Sequence, residues 1–377
     1  LIGLKLGYTW KHLQDAIVKS IGIALPSILI LMAIGMLIGS WVASGIVPLM
    51  IDYGLKLLSP TYFLVASCFI CAVVSLATGS SWSTIGTVGV ALIGVGQGLE
   101  IHLPMVAGAI VSGSYFGDKL SPLSETTNLA PAVAGSELFE HIKHMLYTTV
   151  PSMLIALTLY LILGLVYGSS GSDVDKVNAL SVSLHEQFNL SPLLLAAPAT
   201  VIALIAFKTP ALPAILTGAF VGCLSGIWIQ DFTLSEMLTA MLDGYVSETG
   251  NGQIDDLLSR GGMASMDYTI SLILCSMSFG GLMEGTGMLK SIAQSLLNTA
   301  HSAGRIVAST IVTCIGMNII APDQYLSIIM PGRMYKGVFK EAKLAPKNLS
   351  RCLEDAGTLT SPLVPWNTCG VFVLGAL

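Results

Sequence analysis

Asp118, Ser121, Glu125, Thr127 and Asn128 fall within one short stretch, "GDKLSPLSETTN" at 117–128. Two carboxylates, several hydroxyls and an amide around a proline suit two kinds of chemistry. Carboxylates can take up and release protons. With hydroxyls and freed backbone carbonyls they can also surround a hard cation, which takes oxygen ligands. A second stretch, "AGTLTSPLVPWNTCG" at 356–370, offers Thr360, Ser361, Asn367 and Thr368. Two shorter ones complete the set. "ATGSSWST" at 77–84 contains Ser81, Trp82, Ser83 and Thr84, and "APDQYLS" at 321–327 contains Asp323, Gln324 and Tyr325.

All four stretches interrupt a very apolar chain. Of 377 residues, 53% are hydrophobic and 10% charged. A soluble domain carries about 25% charged residues, so the missing charge points to lipid. Apolar runs near the ~20 residues that span a bilayer recur along the sequence. Ten or eleven candidates lie near 20–40, 61–78, 82–97, 102–117, 146–168, 191–207, 210–230, 262–285, 305–321, 322–335 and 359–377. The class expected is an all-α polytopic membrane protein. The seven cysteines mostly sit inside apolar runs and read as small core residues, since no second Cys or His cluster completes a zinc pattern. The chain starts at Leu1 and ends within "GVFVLGAL", so one or both ends are expected to be incomplete.

The polar stretches recur in order. At an offset of 242 positions, "FLVAS" at 63–67 lies over "RIVAS" at 305–309, and "TGSSWST" at 78–84 over "IAPDQYL" at 320–326; at 240, "SPL" at 121–123 lies over "SPL" at 361–363. Two repeat units are therefore expected. The first covers 20–131, with a hairpin at 61–97 and a broken helix at 102–131. The second covers 262–377, with a hairpin at 305–335 and a broken helix at 348–377. Connecting helices and loops fill 132–261. The segment 333–351 carries Arg333, Lys336, Lys340, Lys343, Lys347 and Arg351 against Glu341 alone. By the positive-inside rule it should be cytoplasmic. Its counterpart "GQGLEIHLP" at 96–104 has no Lys or Arg and should be external. Equivalent loops on opposite sides mean inverted repeats, and inverted repeats with broken helices are a signature of secondary transporters.

Pro122 and Pro362 lack an amide hydrogen and disfavour helix before them. A chain that leaves the helix at membrane depth must face protein or a watery cavity. Each stretch alone could instead be a surface loop; matched pairs favour unwound segments and re-entrant hairpins lining an ion or substrate site. An acid at membrane depth is a functional hypothesis by default, which singles out Asp118, Glu125 and Asp323. The bland alternatives are an interfacial Asp118–Lys119 pair and a helix cap at Asp323. Glu354 and Asp355 read as interfacial counterions to Arg351. Thr126, Thr127, Asn128, Thr360, Asn367 and Thr368 are neutral ligand candidates.

At "ATGSSWSTIGTVG", "GSYFGDKLSPLSETTNLAP", "DQYLSIIMPGRMY" and "EDAGTLTSPLVPWNTCG" the sequence resembles the NhaC-type sodium/proton antiporter family. The similarity extends over nearly the whole chain. It implies a secondary antiporter of the bacterial cytoplasmic membrane, with a scaffold domain holding a moving transport domain, often as a homodimer. Carried over by position, Asp118, Ser121, Glu125, Thr127 and Asn128 would line one unwound segment. Ser81, Trp82, Ser83 and Thr84 would form one hairpin tip and Asp323, Gln324 and Tyr325 the other, with Thr360, Ser361 and Asn367 at the second break. Many relatives have Asp where this chain has Glu125. Sodium would be held by Asp118, Glu125, Asn128 and Asp323. The family also contains exchangers that couple sodium and protons to malate and lactate.

The reading is therefore a non-enzymatic exchanger of Na⁺ for H⁺ with no cofactor and no nucleic-acid partner, and malate/lactate exchange at the same site is the alternative. A channel would need an uninterrupted polar stripe along several helices. An enzyme would need a nucleophile–base pair or a metal cluster. Neither pattern is present in the sequence.

Overall fold

The computed structural model describes residues 2–167, 174–207, 209–248, 255, 258–289, 291 and 302–377. Among these it is built of helices, with no strand beyond an isolated bridge between Tyr245 and Arg260. Six helices among the described residues are long and apolar enough to cross a membrane: Trp10–Ala43, Pro60–Thr78, Leu138–Tyr167, Ala211–Ile229, Met263–Gly285 and Ala303–Ile320. A seventh crossing is possible by length and composition if the bent pair Ser181–Gln187 and Pro192–Ile205, angled at 94°, counts as one. The sequence suggested ten or eleven segments. Of the remaining apolar runs, some form short helices, such as Val90–Gly98 and Thr368–Ala376, while Leu103–Leu120 and Gln324–Glu341 reach 18 residues but carry charged side chains. Helix Leu138–Tyr167 leaves Leu154, Ile155, Leu159 and Ile162 exposed, an apolar surface that suits lipid rather than water.

The contacts divide the chain into two units. One comprises 29–121, 149–267 and 375–377. There, helices Pro60–Thr78 and Leu103–Leu120 lie side by side. Gly117 permits this, since a Cβ at that position would stand 2.2 Å from the Ala72 carbonyl oxygen. The Ser75 hydroxyl donates to the Ser114 carbonyl across the same seam at 2.6 Å. The first helix ends at Gly79, whose φ of 69° a residue with a side chain rarely adopts. Ser80 then caps a new helix, its side chain accepting from the Ser83 amide. That helix runs Ser81–Thr84, passes through a π turn at Ile85–Gly89 and continues as Val90–Gly98. In the same unit the indole of buried Trp41 donates to the Gly218 carbonyl at 3.0 Å, tying the first long helix to Ala211–Ile229.

The other unit comprises 1–28, 122–148 and 268–374. Its core packs Ala303–Ile320 against Gln324–Glu341 and Pro346–Cys352 through Ile306, Cys314, Tyr335, Phe339, Leu349 and Leu353. The buried Tyr335 hydroxyl meets those of Ser309 (2.6 Å) and Thr313 (2.9 Å), which answers its need for a polar partner. Pro346–Cys352 widens into a π turn at Leu353–Thr358 and then breaks at the short 3₁₀ turn Ser361–Leu363.

The helix interruptions fall where the sequence placed them, at 79–80, 121–124, 321–323 and 361–367. Part of the second expected repeat, 292–301, lies outside the described residues, as do 168–173 and 249–254 of the connecting segment.

Candidate functional site

The polar residues expected to act together are divided between the two units. Ser81, Trp82, Ser83, Thr84, Asp118 and Ser121 belong to one, and Glu125, Thr127, Asn128, Asp323, Gln324, Tyr325, Thr360, Ser361 and Asn367 to the other.

In the first of these, helix Leu103–Leu120 stops one residue before Ser121, whose amide still bonds the Asp118 carbonyl at 3.0 Å. Asp118 therefore sits in the last turn before a break. It is only 6% exposed, and Lys119 beside it is 2% exposed. A solvent-facing pair at a helix end is thus not what the fold builds. The Ser81 hydroxyl donates to Asp118 Oδ2 at 2.6 Å. The hairpin tip and the broken helix meet at this bond. Its hydroxyl fixes the carboxylate, and the hydroxyl oxygen keeps lone pairs that can ligate a cation. The Ser83 hydroxyl is buried, and among the described residues it has no hydrogen-bond partner. The hydroxyls of Thr84, just before the π turn, and Thr87, within it, bond the carbonyls of Ser80 (3.0 Å) and Ser83 (2.6 Å). Such turns often mark functional sites.

In the other unit, Asp323 is the N-cap of Gln324–Glu341, with Oδ1 accepting from the Leu326 amide at 3.0 Å. The capping role weighed from sequence is real, and Asp323 is buried as well. Next to it, Gln324 Oε1 accepts from the Cys369 thiol at 2.6 Å and faces the Ser361 hydroxyl at 3.5 Å. Asn318 donates to the Gly357 carbonyl (2.7 Å) and the Thr360 hydroxyl (2.9 Å), and Asn367 donates to Asn318 Oδ1 (3.1 Å). The second hairpin tip and the second break are thereby laced together. The Thr358 hydroxyl, also buried, has no partner among the described residues.

The first polar stretch is less unwound than expected. Only 121–124 leaves the helix, and Glu125, Thr127 and Asn128 lie on helix Glu125–Ala134. Glu125 and Asn128 are exposed. Glu125 accepts from the Tyr325 hydroxyl at 2.5 Å. Asn128 turns its amide nitrogen back onto the carbonyls of Pro122 (2.9 Å) and Ser124 (2.7 Å). These contacts tie the end of the first break to the second hairpin tip.

Glu354 is a correction. It is not an interfacial counterion to Arg351, for it is fully buried and accepts from the Thr126 hydroxyl at 3.0 Å. Arg351 instead lies 3.4 Å from the His144 ring. The spacing of three between Arg351 and Glu354 predicts one helix face, but the π turn beginning at Leu353 rotates the acid inward. Asn318 was missed too. The available signal was a lone amide inside the apolar run 305–321. Among the described residues no group of three or more His, Cys, Asp or Glu could hold a metal ion.

A model of the Na⁺/H⁺ antiporter family matches residues 113–377. The chain is 39% identical over 378 residues to the Na⁺/H⁺ antiporter NhaC of Alkalihalophilus pseudofirmus, covering 100% of this chain and 81% of that one. It is 39% identical over 377 residues to the malate-2H⁺/Na⁺-lactate antiporter of Bacillus subtilis, with coverage of 100% and 81%. It is also 39% identical over 376 residues to the arginine/ornithine antiporter ArcD of Halobacterium salinarum, with coverage of 98% and 77%.

Proposed function

The chain belongs to the Na⁺/H⁺ antiporter family, and from that membership we propose that it exchanges Na⁺ for H⁺ across the cytoplasmic membrane by alternating access. The observation that carries the proposal is the Ser81–Asp118 contact, where a hairpin tip bonds a buried carboxylate at a helix break. Asp118 binds either a proton or sodium, with hydroxyls and freed carbonyls completing the cation's oxygen shell. Asp323, buried at the tip of the second hairpin, is the corresponding carboxylate of the other unit. Only the loaded carrier crosses, so one ion moving down its gradient drives the other up.

The same reading includes inverted repeats and a homodimer. Helix breaks at positions matched by offsets of 240 and 242 support the repeats. At those offsets Ser81 matches Asp323 and Asp118 matches Thr358, so each unit has one acid and one hydroxyl at the matched positions, in swapped places. Inversion predicts that cysteines replacing the exposed His102 and Lys343 react with an impermeant reagent from opposite sides of the membrane. Reaction from one side only would end the inversion argument.

A second reading adds an organic anion, and the malate/lactate exchanger among the relatives favours weighing it. In proteoliposomes, a sodium gradient alone should drive proton movement if the exchange is of ions only. If proton movement requires malate on one side and lactate on the other, the organic-anion reading holds.

A further inference from the structure

The unit built from 29–121, 149–267 and 375–377 contains a cavity of about 440 Å³, within the range of small-molecule sites. Its described walls include Ile38, Val90, Ile93 and Met266, and Arg260 lines it as well. Arg260 Nη2 donates to Gln97 Oε1 at 2.8 Å. Gln97 is neutral, and among the described residues no acid is paired with the guanidinium. A partly enclosed cation without a counterion is costly. Among the described residues one of its five donors is spent on Gln97, and the planar fork suits a carboxylate held through two parallel bonds.

The backbone holds Arg260 in place. Its carbonyl accepts from the Tyr245 amide at 3.3 Å, and the Gly262 amide bonds the Gly35 carbonyl at 2.8 Å. Asp243 also lines the cavity, but it is exposed. It therefore marks the open side, where a second negative charge on a ligand would be repelled.

We propose that this cavity binds an organic monocarboxylate with a short apolar body, its carboxylate on Arg260 and its body against Ile38, Val90, Ile93 and Met266. The site is distinct from the carboxylates assigned to sodium and protons, so binding here stands whether or not those ions exchange. Two sources share this chemistry, a hydroxy acid and an amino acid whose ammonium would sit toward Asp243.

The test is calorimetric titration of the purified full-length protein in sodium-free buffer with potassium lactate, alanine, dipotassium malate and potassium chloride. Lactate or alanine should bind, and whichever binds identifies the source; malate should bind more weakly and chloride not at all. Arg260→Gln should weaken binding about ten- to hundredfold, the loss expected for hydrogen bonds to a charged group. If neither monocarboxylate binds, if chloride binds equally, or if Arg260→Gln binds as wild type, the proposal is overturned. Should Arg260→Gln not fold, Leu103→Trp decides. Leu103 lines the cavity and is only partly buried, so the larger ring should fill it. Lost binding supports the site and unchanged binding overturns it.

Discussion

Asp118→Asn is expected to reduce sodium-driven proton flux in proteoliposomes to the background of empty vesicles, while the protein still purifies as a folded species. The amide keeps the size of the side chain and can still accept from Ser81, so the 2.6 Å contact between hairpin tip and broken helix survives. What disappears is the negative charge and the titrating proton. Losing a contact to a charged group weakens binding by about ten- to hundredfold. Losing the only proton that a site exchanges stops coupled flux altogether. Ser81→Ala, by contrast, removes the hydroxyl and leaves the carboxylate. It should lower the apparent sodium affinity and leave coupling intact. Flux near the wild-type level in Asp118→Asn would move Asp118 to a structural role.

Asp323 needs a different comparison, because its Oδ1 caps a helix. Asn caps about as well as Asp, whereas Ala costs about 1 kcal/mol. Asp323→Asn therefore separates the cap from the charge. It should fold with an unfolding midpoint close to that of the wild type and yet lose nearly all sodium-driven proton flux. Asp323→Ala should lose the flux and also melt lower. If Asp323→Asn transports normally and only Asp323→Ala is impaired, capping is the whole of its role.

Much of this site was legible because its signals are local. Gly79, Pro122 and Pro362 stop helices for reasons each residue carries with it, and the breaks at 79–80, 121–124 and 361–367 follow. Asp323 could be recognised both as a cap and as an acid in apolar surroundings. What was hidden depends on three-dimensional context. The helix Ile46–Leu57 drew no attention as an apolar run because it carries Asp52 and Lys56. In the fold Asp52 is buried and bonded to Lys56 at 2.7 Å, with the His185 ring at 3.3 Å, so the charges are tolerated. Glu354 was misread because a π turn changes which face a residue occupies, and sequence spacing assumes a regular helix. Glu125 and Asn128 were expected on an unwound segment, but Ser124 caps a helix at that point, accepting from the Thr127 amide.

The most direct measurement is sodium binding to the purified protein by calorimetry at several pH values. If a single carboxylate trades the two ions, protons compete with sodium. The apparent affinity should then fall as pH drops, by up to about tenfold per pH unit once the site is mostly protonated. Asp118→Asn should remove that slope. A wild-type sodium affinity that stays constant across pH would contradict direct competition, and Na⁺ and H⁺ would then have to occupy separate sites.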